Sequence, residues 1–141
     1  MHKPEVFLTT WSTDRPQLEH VRREVFILEQ SVPEDLEWDD EDPVCVHVLA
    51  ILNREPVGTG RLTPAGKIGR VAVARRCRGT GLGRQIMKLL TDAARHRGMT
   101  EVRLSAQLSA MPFYEKLGFR AEGEVFEEAG IPHRNMRMSL G

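Results

Sequence analysis

Apolar and polar positions change their spacing several times along the chain, and each change marks an element. Glu5 to Thr10 reads as a first strand. Asp14 offers a helix N-cap, with Pro16 and Gln17 in the first turn. Leu18, Val21, Val25 and Leu28 recur at helical spacing, which predicts a helix to about Glu29. Pro33 and the acidic residues after it end that pattern. Cys45 to Leu52 is an almost unbroken apolar, β-rich run, as expected of a strand covered on both faces. Asn53-Arg54-Glu55-Pro56 and Pro64-Ala65-Gly66 read as turns around strands Val57 to Thr63 and Lys67 to Val73. Strands joined by such tight turns predict an antiparallel meander.

The second half changes rhythm. Leu82, Ile86, Leu89, Leu90, Ala93 and Ala94 fall on one side of a helix spanning 83–97, which Gly98 ends. Glu101 to Ser105 alternates like a half-buried strand. Strand, helix and strand then form a βαβ unit, and with it a parallel pair. Ser109 can cap a short helix that carries Pro112 and stops at Gly118. Phe119 onward and Arg134 to Ser139 read as two more strands. The fold class is α/β, a mixed sheet in which a meander precedes a crossover. A chain of 141 residues without repeat or linker reads as one domain, 1–141.

Totals narrow the options. Lys+Arg and Asp+Glu both number 20, so the net charge is zero and a general nucleic-acid surface is not expected. Cys45 and Cys77 form neither a metal-ligand spacing nor a disulfide framework, and both are expected to be reduced. No run reaches membrane-spanning length and no signal core follows the N-terminus. The expectation is a cytoplasmic protein with no metal and no membrane partner.

The local chemistry is concentrated in one turn. Val71-Ala72-Val73 runs through Ala74 to Arg78-Gly79-Thr80-Gly81-Leu82-Gly83-Arg84, and arginines also stand at 75 and 76. A glycine turn that opens a helix presents backbone N–H groups and a positive helix end to a phosphate. The Walker pattern fails because Arg84 and Gln85 follow Gly83, where Lys and Ser/Thr belong. The dinucleotide pattern fails because Arg84 stands where its third glycine belongs. The remaining pattern, Arg/Gln-x-x-Gly-x-Gly/Ala, is met by Arg78, Gly81 and Gly83.

On these residues the chain resembles the GNAT N-acetyltransferase superfamily. Ala110-Met111-Pro112-Phe113-Tyr114-Glu115-Lys116-Leu117-Gly118-Phe119 is similar to the second signature of that family. The segments Val25 to Pro33 and Glu127 to His133 resemble its ElaA/YjcF-like branch. The resemblance implies central strands splayed to admit acetyl-CoA as co-substrate, with no metal. It also implies transfer to a primary amine of a small molecule or peptide, and the absence of nucleophile partners for Cys77 favours direct attack in a ternary complex. Residues Arg78, Gly79, Thr80, Gly81, Leu82, Gly83 and Arg84 would hold the pyrophosphate. The backbone of Val71, Ala72 and Val73 would pair with the pantetheine arm. Phe113 would complete the cofactor site with Gln107, which would contact the cofactor amide or the acceptor if it is not an ordinary loop residue, and Tyr114 would be the general acid. A non-catalytic acyl-CoA-binding sensor is the alternative, and exposed strand edges leave a homodimer open.

Several residues stay undecided. Glu29, His47 and His133 are each candidates for a general base, although each taken alone reads first as structural. The acidic run from Glu34 to Asp42 reads as a solvated loop, with an acceptor-attracting rim as the rival. Trp38 within it could wall an acceptor pocket, whereas Trp11 reads as core. Cys77 lacks the partners of a nucleophile.

Overall fold

The computed structural model describes residues 3–141. Strand β1 (Glu5–Thr9) leads into helix α1 (Trp11–Arg22), which continues as a π-helix over Arg23–Glu29. A single helical turn, α2 (Glu34–Glu37), and a 3-10 turn precede β2 (Val46–Leu52), β3 (Glu55–Leu62) and β4 (Ile68–Val73). Helix α3 (Leu82–His96) crosses to β5 (Glu101–Gln107). The short α4 (Met111–Lys116) and the hairpin β6 (Arg120–Glu128) and β7 (Ile131–Ser139) complete the order.

The strands form two sheets, ordered β1-β2-β3-β4 and β5-β7-β6, all with antiparallel neighbours. The predicted parallel pair between β4 and β5 is reduced to one bridge, Lys67 to Arg103. Beyond that bridge the two strands part. β2 is central and covered on both faces: Val48 and Ala50 pack towards α3, and Leu49 meets Trp11 and Leu18 of α1. The expectation for its continuous apolar run, and for Trp11, is met.

Two helix starts differ from expectation. The cap of α1 is Thr10, whose hydroxyl accepts the Thr13 amide at 3.2 Å. Asp14 instead breaks the helix at φ −127°, and its carboxylate accepts the Thr9 hydroxyl at 2.5 Å. The Pro16 signal therefore marks a restart one turn into the element. Ser109 caps nothing, because a 3-10 turn over Leu108–Ala110 occupies that position. The C-terminus of α3 follows the sequence closely. Gly98 adopts φ +79°, and the Gly98 and Met99 amides donate to Arg95 and Ala94, a Schellman end.

Leu28 is the clear failure of helical periodicity. It is 72% exposed, while Leu18, Val21 and Val25 are buried. The cause is the π segment, which closes bonds to the fifth residue and so rotates later side chains off the 3.6-residue face. At its end the Gln30 amide donates to the Val25 carbonyl at 3.1 Å. The residues turned inward are Val25, which packs with Ala72, and then Gln30.

Candidate functional site

β4 is shaped by a bulge. Thr59 pairs with Ala72 and Arg61 with Gly69, so Arg70 and Val71 together oppose Gly60. Arg70 takes the extra residue's place at φ +50°. The bulge lies where β4 leaves β5. Between the diverging strands lies a cleft of about 660 Å³, a size suited to a small-molecule ligand. Val71, Ala72 and Val73 line one wall, and Leu104 to Gln107 line the other. Behind β4, Gly58 and Gly60 let α3 sit close. A Cβ at either would stand 2.9 Å from the Ile86 or Leu90 side chain.

The glycine turn closes one end of β4. Gly79 and Gly81 have φ of +78° and +87°, and a Cβ at either would meet nothing within 4 Å. Gly81 is the N-cap of α3 and brings no side chain to its first turn. Among the described residues, no chain acceptor takes the N–H groups of Gly79, Thr80, Gly81, Leu82, Gly83 or Arg84. Those amides are therefore available to an anion at a positive helix end. Leu82 is buried and anchors the turn, and the Thr80 hydroxyl donates to the Cys77 carbonyl at 2.6 Å. Gly83 faces Phe113, whose ring stands 3.2 Å from where a Cβ would be. Arg84 is exposed.

Arg78 has other partners in this structure. Its guanidinium forks onto Glu29 at 2.6 and 2.7 Å, and its Nε donates to the Val73 carbonyl at 3.0 Å. Arg75 approaches the same carboxylate at 3.3 Å. Arg78 thus ties the π segment to the end of β4. It also holds the Glu29 carboxyl below the usual carboxylate range, which makes Glu29 a poor proton acceptor. Nearby, Gln30 and Gln107 exchange amide hydrogen bonds at 2.9 and 3.3 Å, bridging the two sides.

Tyr114 lies in the same cleft. Its ring makes edge contacts with Phe113 at 5.0 Å and Phe119 at 5.9 Å. Burial pushes its phenol up to about 12, so it remains protonated at any ordinary pH. The other proton-transfer candidates separate. His47 is buried in β2, beside Trp11, and donates through Nε2 to the Asp42 carbonyl at 2.9 Å. It does not line the cleft, and burial lowers its basicity. His133 does line the cleft. Cys77 is a buried core residue.

The acidic run is solvated only in part: Glu34, Asp35, Asp39, Asp40 and Glu41 are exposed, Glu37 and Asp42 are anchored inside, and Glu37 and Glu41 line the cleft. Glu37 and Asp42 are 3% and 1% exposed, and they meet three arginines from three elements. Arg22 of α1 donates to Glu37 at 2.7 Å and to Asp42 at 2.8 Å. Arg61 of β3 holds Asp39 at 2.7 and 2.8 Å and Asp42 at 2.8 Å. Arg70, the bulge residue, donates to Asp39 and to the Glu37 carbonyl. Burial pushes the Glu37 carboxyl up, against the pull of Arg70 and Arg22, whereas Arg61 draws Asp39 down to about 2. Trp38 lies against the Arg22 and Arg23 guanidiniums and stays outside the cleft lining. The run therefore fastens the loop to β3 and β4. Charge alone could not show this, because the partners lie 15 to 33 residues away.

The sequence reading missed the bulge, the π segment and Gln30. Only the Val25-to-Pro33 motif drew attention to that stretch.

Comparison with known proteins supplies the family. The family described as "Acetyltransferase (GNAT) domain" matches residues 13–140. YjcF of Bacillus subtilis (strain 168), described as an uncharacterized N-acetyltransferase, is 40% identical over 121 residues, covering 83% of this chain and 86% of the relative. Crystal structures agree. An acyl-CoA N-acyltransferase from Pseudomonas aeruginosa has a TM-score of 0.86 at 32% identity, over 96% of this chain and 99% of the other. Escherichia coli ElaA has a TM-score of 0.82 at 31% identity, over 98% and 99% of the two chains.

Proposed function

The chain belongs to the GNAT acetyltransferase family, and from that premise we propose that all 141 residues form one N-acetyltransferase domain. It moves an acetyl group from acetyl-coenzyme A to a primary amine of a small molecule or peptide, by direct attack while both are bound. The observation that carries this reading is the row of unpartnered amides from Gly79 to Arg84, at the end of a cleft that also holds Tyr114. Those amides suit a diphosphate, and the parted strands offer Val71, Ala72 and Val73 to an extended arm. Gln107 lines the same space, and Phe113 packs against Gly83 of the glycine turn. Arg78 enters the phosphate site only by leaving Glu29, so backbone contacts dominate there.

The coenzyme brings a thioester, an activated acyl group. The chain must orient it, keep water out and supply a proton to the departing sulfur. Tyr114 suits the last task because its proton is retained until a strong base forms beside it. Cys77 is buried away from any activating partner, which supports direct attack over an acyl-cysteine route. A cytoplasmic setting fits two buried, unlinked cysteines, Cys45 and Cys77.

The test is acetyl-CoA-dependent thiol release with spermidine, glucosamine, lysine and a lysine-containing tetrapeptide. Tyr114→Phe keeps both edge contacts and should bind coenzyme A within about twofold of wild type, yet lose about 10²-fold in kcat. Full activity in that variant would remove Tyr114 from the chemistry. Tight coenzyme binding with no release on any amine would instead favour an acyl-CoA sensor.

A further inference from the structure

We propose that His133 is the general base, accepting a proton at Nε2 from the ammonium form of the acceptor. This deepens the acetyl-transfer reading above and rests on it.

His133 sits where three strands meet in one row. In the β5–β7 register it stands opposite Gln107, and in the β6–β7 register opposite Phe126. Facing residues of an antiparallel pair project to the same side, so the imidazole lies beside the Gln107 amide. Its ring stacks on Phe126 with centroids 5.9 Å apart and planes 22° apart. The residue is 7% exposed, yet it forms part of the cleft lining with Tyr114.

The tautomer is fixed by chemistry. Nδ1 lies 2.6 Å from the Ile131 carbonyl oxygen, which can only accept. Nδ1 therefore carries the hydrogen, and in the neutral ring Nε2 holds the lone pair. Nε2 in turn lies 3.6 Å from a carboxylate oxygen of Glu128, which is exposed and stabilises the imidazolium once formed. One nitrogen is tied to the backbone, the other is free to accept, and a counter-charge stands ready. Neither rival has this arrangement. Glu29 is held by two arginines, and His47 spends its Nε2 hydrogen on Asp42 outside the cleft.

Nε2 takes one proton from the ammonium. The neutral nitrogen attacks the thioester carbon and the C–N bond forms. The C–S bond then breaks, and sulfur takes the Tyr114 proton. The second proton of the nitrogen restores Tyr114, and the imidazolium loses its proton to solvent. Glu128 faces the ring at 3.6 Å, Gln30 and Gln107 are uncharged amides, and Glu37, Glu41, Arg61, Lys67 and Arg70 line the rest of the cleft. The Arg78 charge is matched by Glu29.

His133→Asn keeps a donor for the Ile131 carbonyl and removes the basic nitrogen. On whichever of the four amines wild type acetylates fastest, kcat/KM at pH 7 should fall about 10²-fold or more. The profile should also change shape. Wild type should reach a plateau while the amine is still largely protonated, whereas the variant should keep rising about tenfold per pH unit towards the pKa of the amine, since only free amine then reacts. Coenzyme A affinity should stay within about twofold. Long-range ¹H–¹⁵N correlation on the intact wild-type protein should show the Nδ1–H tautomer, independently of turnover. An unchanged profile shape in the variant, or an Nε2–H tautomer, would overturn the proposal. Wild type that binds coenzyme A but acetylates none of the amines would fell the acetyl-transfer reading, and this one with it.

Discussion

Gly81 offers a way to separate backbone strain from charge at the head of α3. It sits at φ +87°, and an added Cβ would meet nothing within 4 Å. Asparagine and aspartate both tolerate this left-handed region better than most residues, share one shape, and differ by a single negative charge. Each should cost roughly 1 kcal/mol of stability through strain, with no steric penalty. Coenzyme affinity should part them. A carboxylate about 4 Å from a phosphate charge is repelled by about 1 kcal/mol in bulk water, and by about 4 kcal/mol near a protein surface. Gly81→Asp should therefore bind coenzyme A about fivefold to several-hundredfold more weakly than Gly81→Asn at low salt. The gap should narrow as salt screens the charges. Titration calorimetry of both variants at two ionic strengths reads this directly. Equal dissociation constants at low salt would refute a diphosphate seated on the amides of Gly79 to Arg84.

Arg22→Met removes the guanidinium that donates to buried Glu37 and Asp42, so urea denaturation should show a loss of about 3–5 kcal/mol. A loss below about 1 kcal/mol would mean that water reaches the carboxylates. Gly60→Ala places a methyl 2.9 Å from Leu90 and 3.0 Å from Ile86, and should cost about 1–3 kcal/mol. Gly69→Ala, with nothing within 4 Å, should stay within about 0.5 kcal/mol of wild type in the same assay. The Asp39 carboxyl is lowered from 3.8 to about 2 by Arg61, so its stabilisation is complete above pH 3.8 and lost as pH falls through 2. Wild type should exceed Asp39→Asn by about 1 kcal/mol at neutral pH, after allowance for solvent screening, and lose that lead between pH 4 and 2.

Elements with one consistent period could be read from the chain. β2, covered on both faces, and α3, with its glycine stop, lie where apolar spacing puts them. The glycine turn was legible because its conformation demands particular residues. Features that depend on partners distant in sequence were not. Nothing local distinguishes a π segment from an α-helix over 23–29, so Leu28 was assigned to a buried face it does not occupy. The acidic run looks like other charge runs until Arg22, Arg61 and Arg70 are brought to it. The same holds for the base candidates. His47 and His133 are alike as letters, and only the strand register sends one into packed side chains and the other into the cleft.

The lone bridge between Lys67 and Arg103 has a further consequence. Past it, each of the two strands keeps a row of peptide groups with no neighbouring strand to satisfy them. On an outer face such a row would invite another molecule to zip on and grow into an aggregate. Here the row faces inward, along the walls of the cleft between the two sheets. The protein thus keeps its adhesive side inward, where only something slender can reach it.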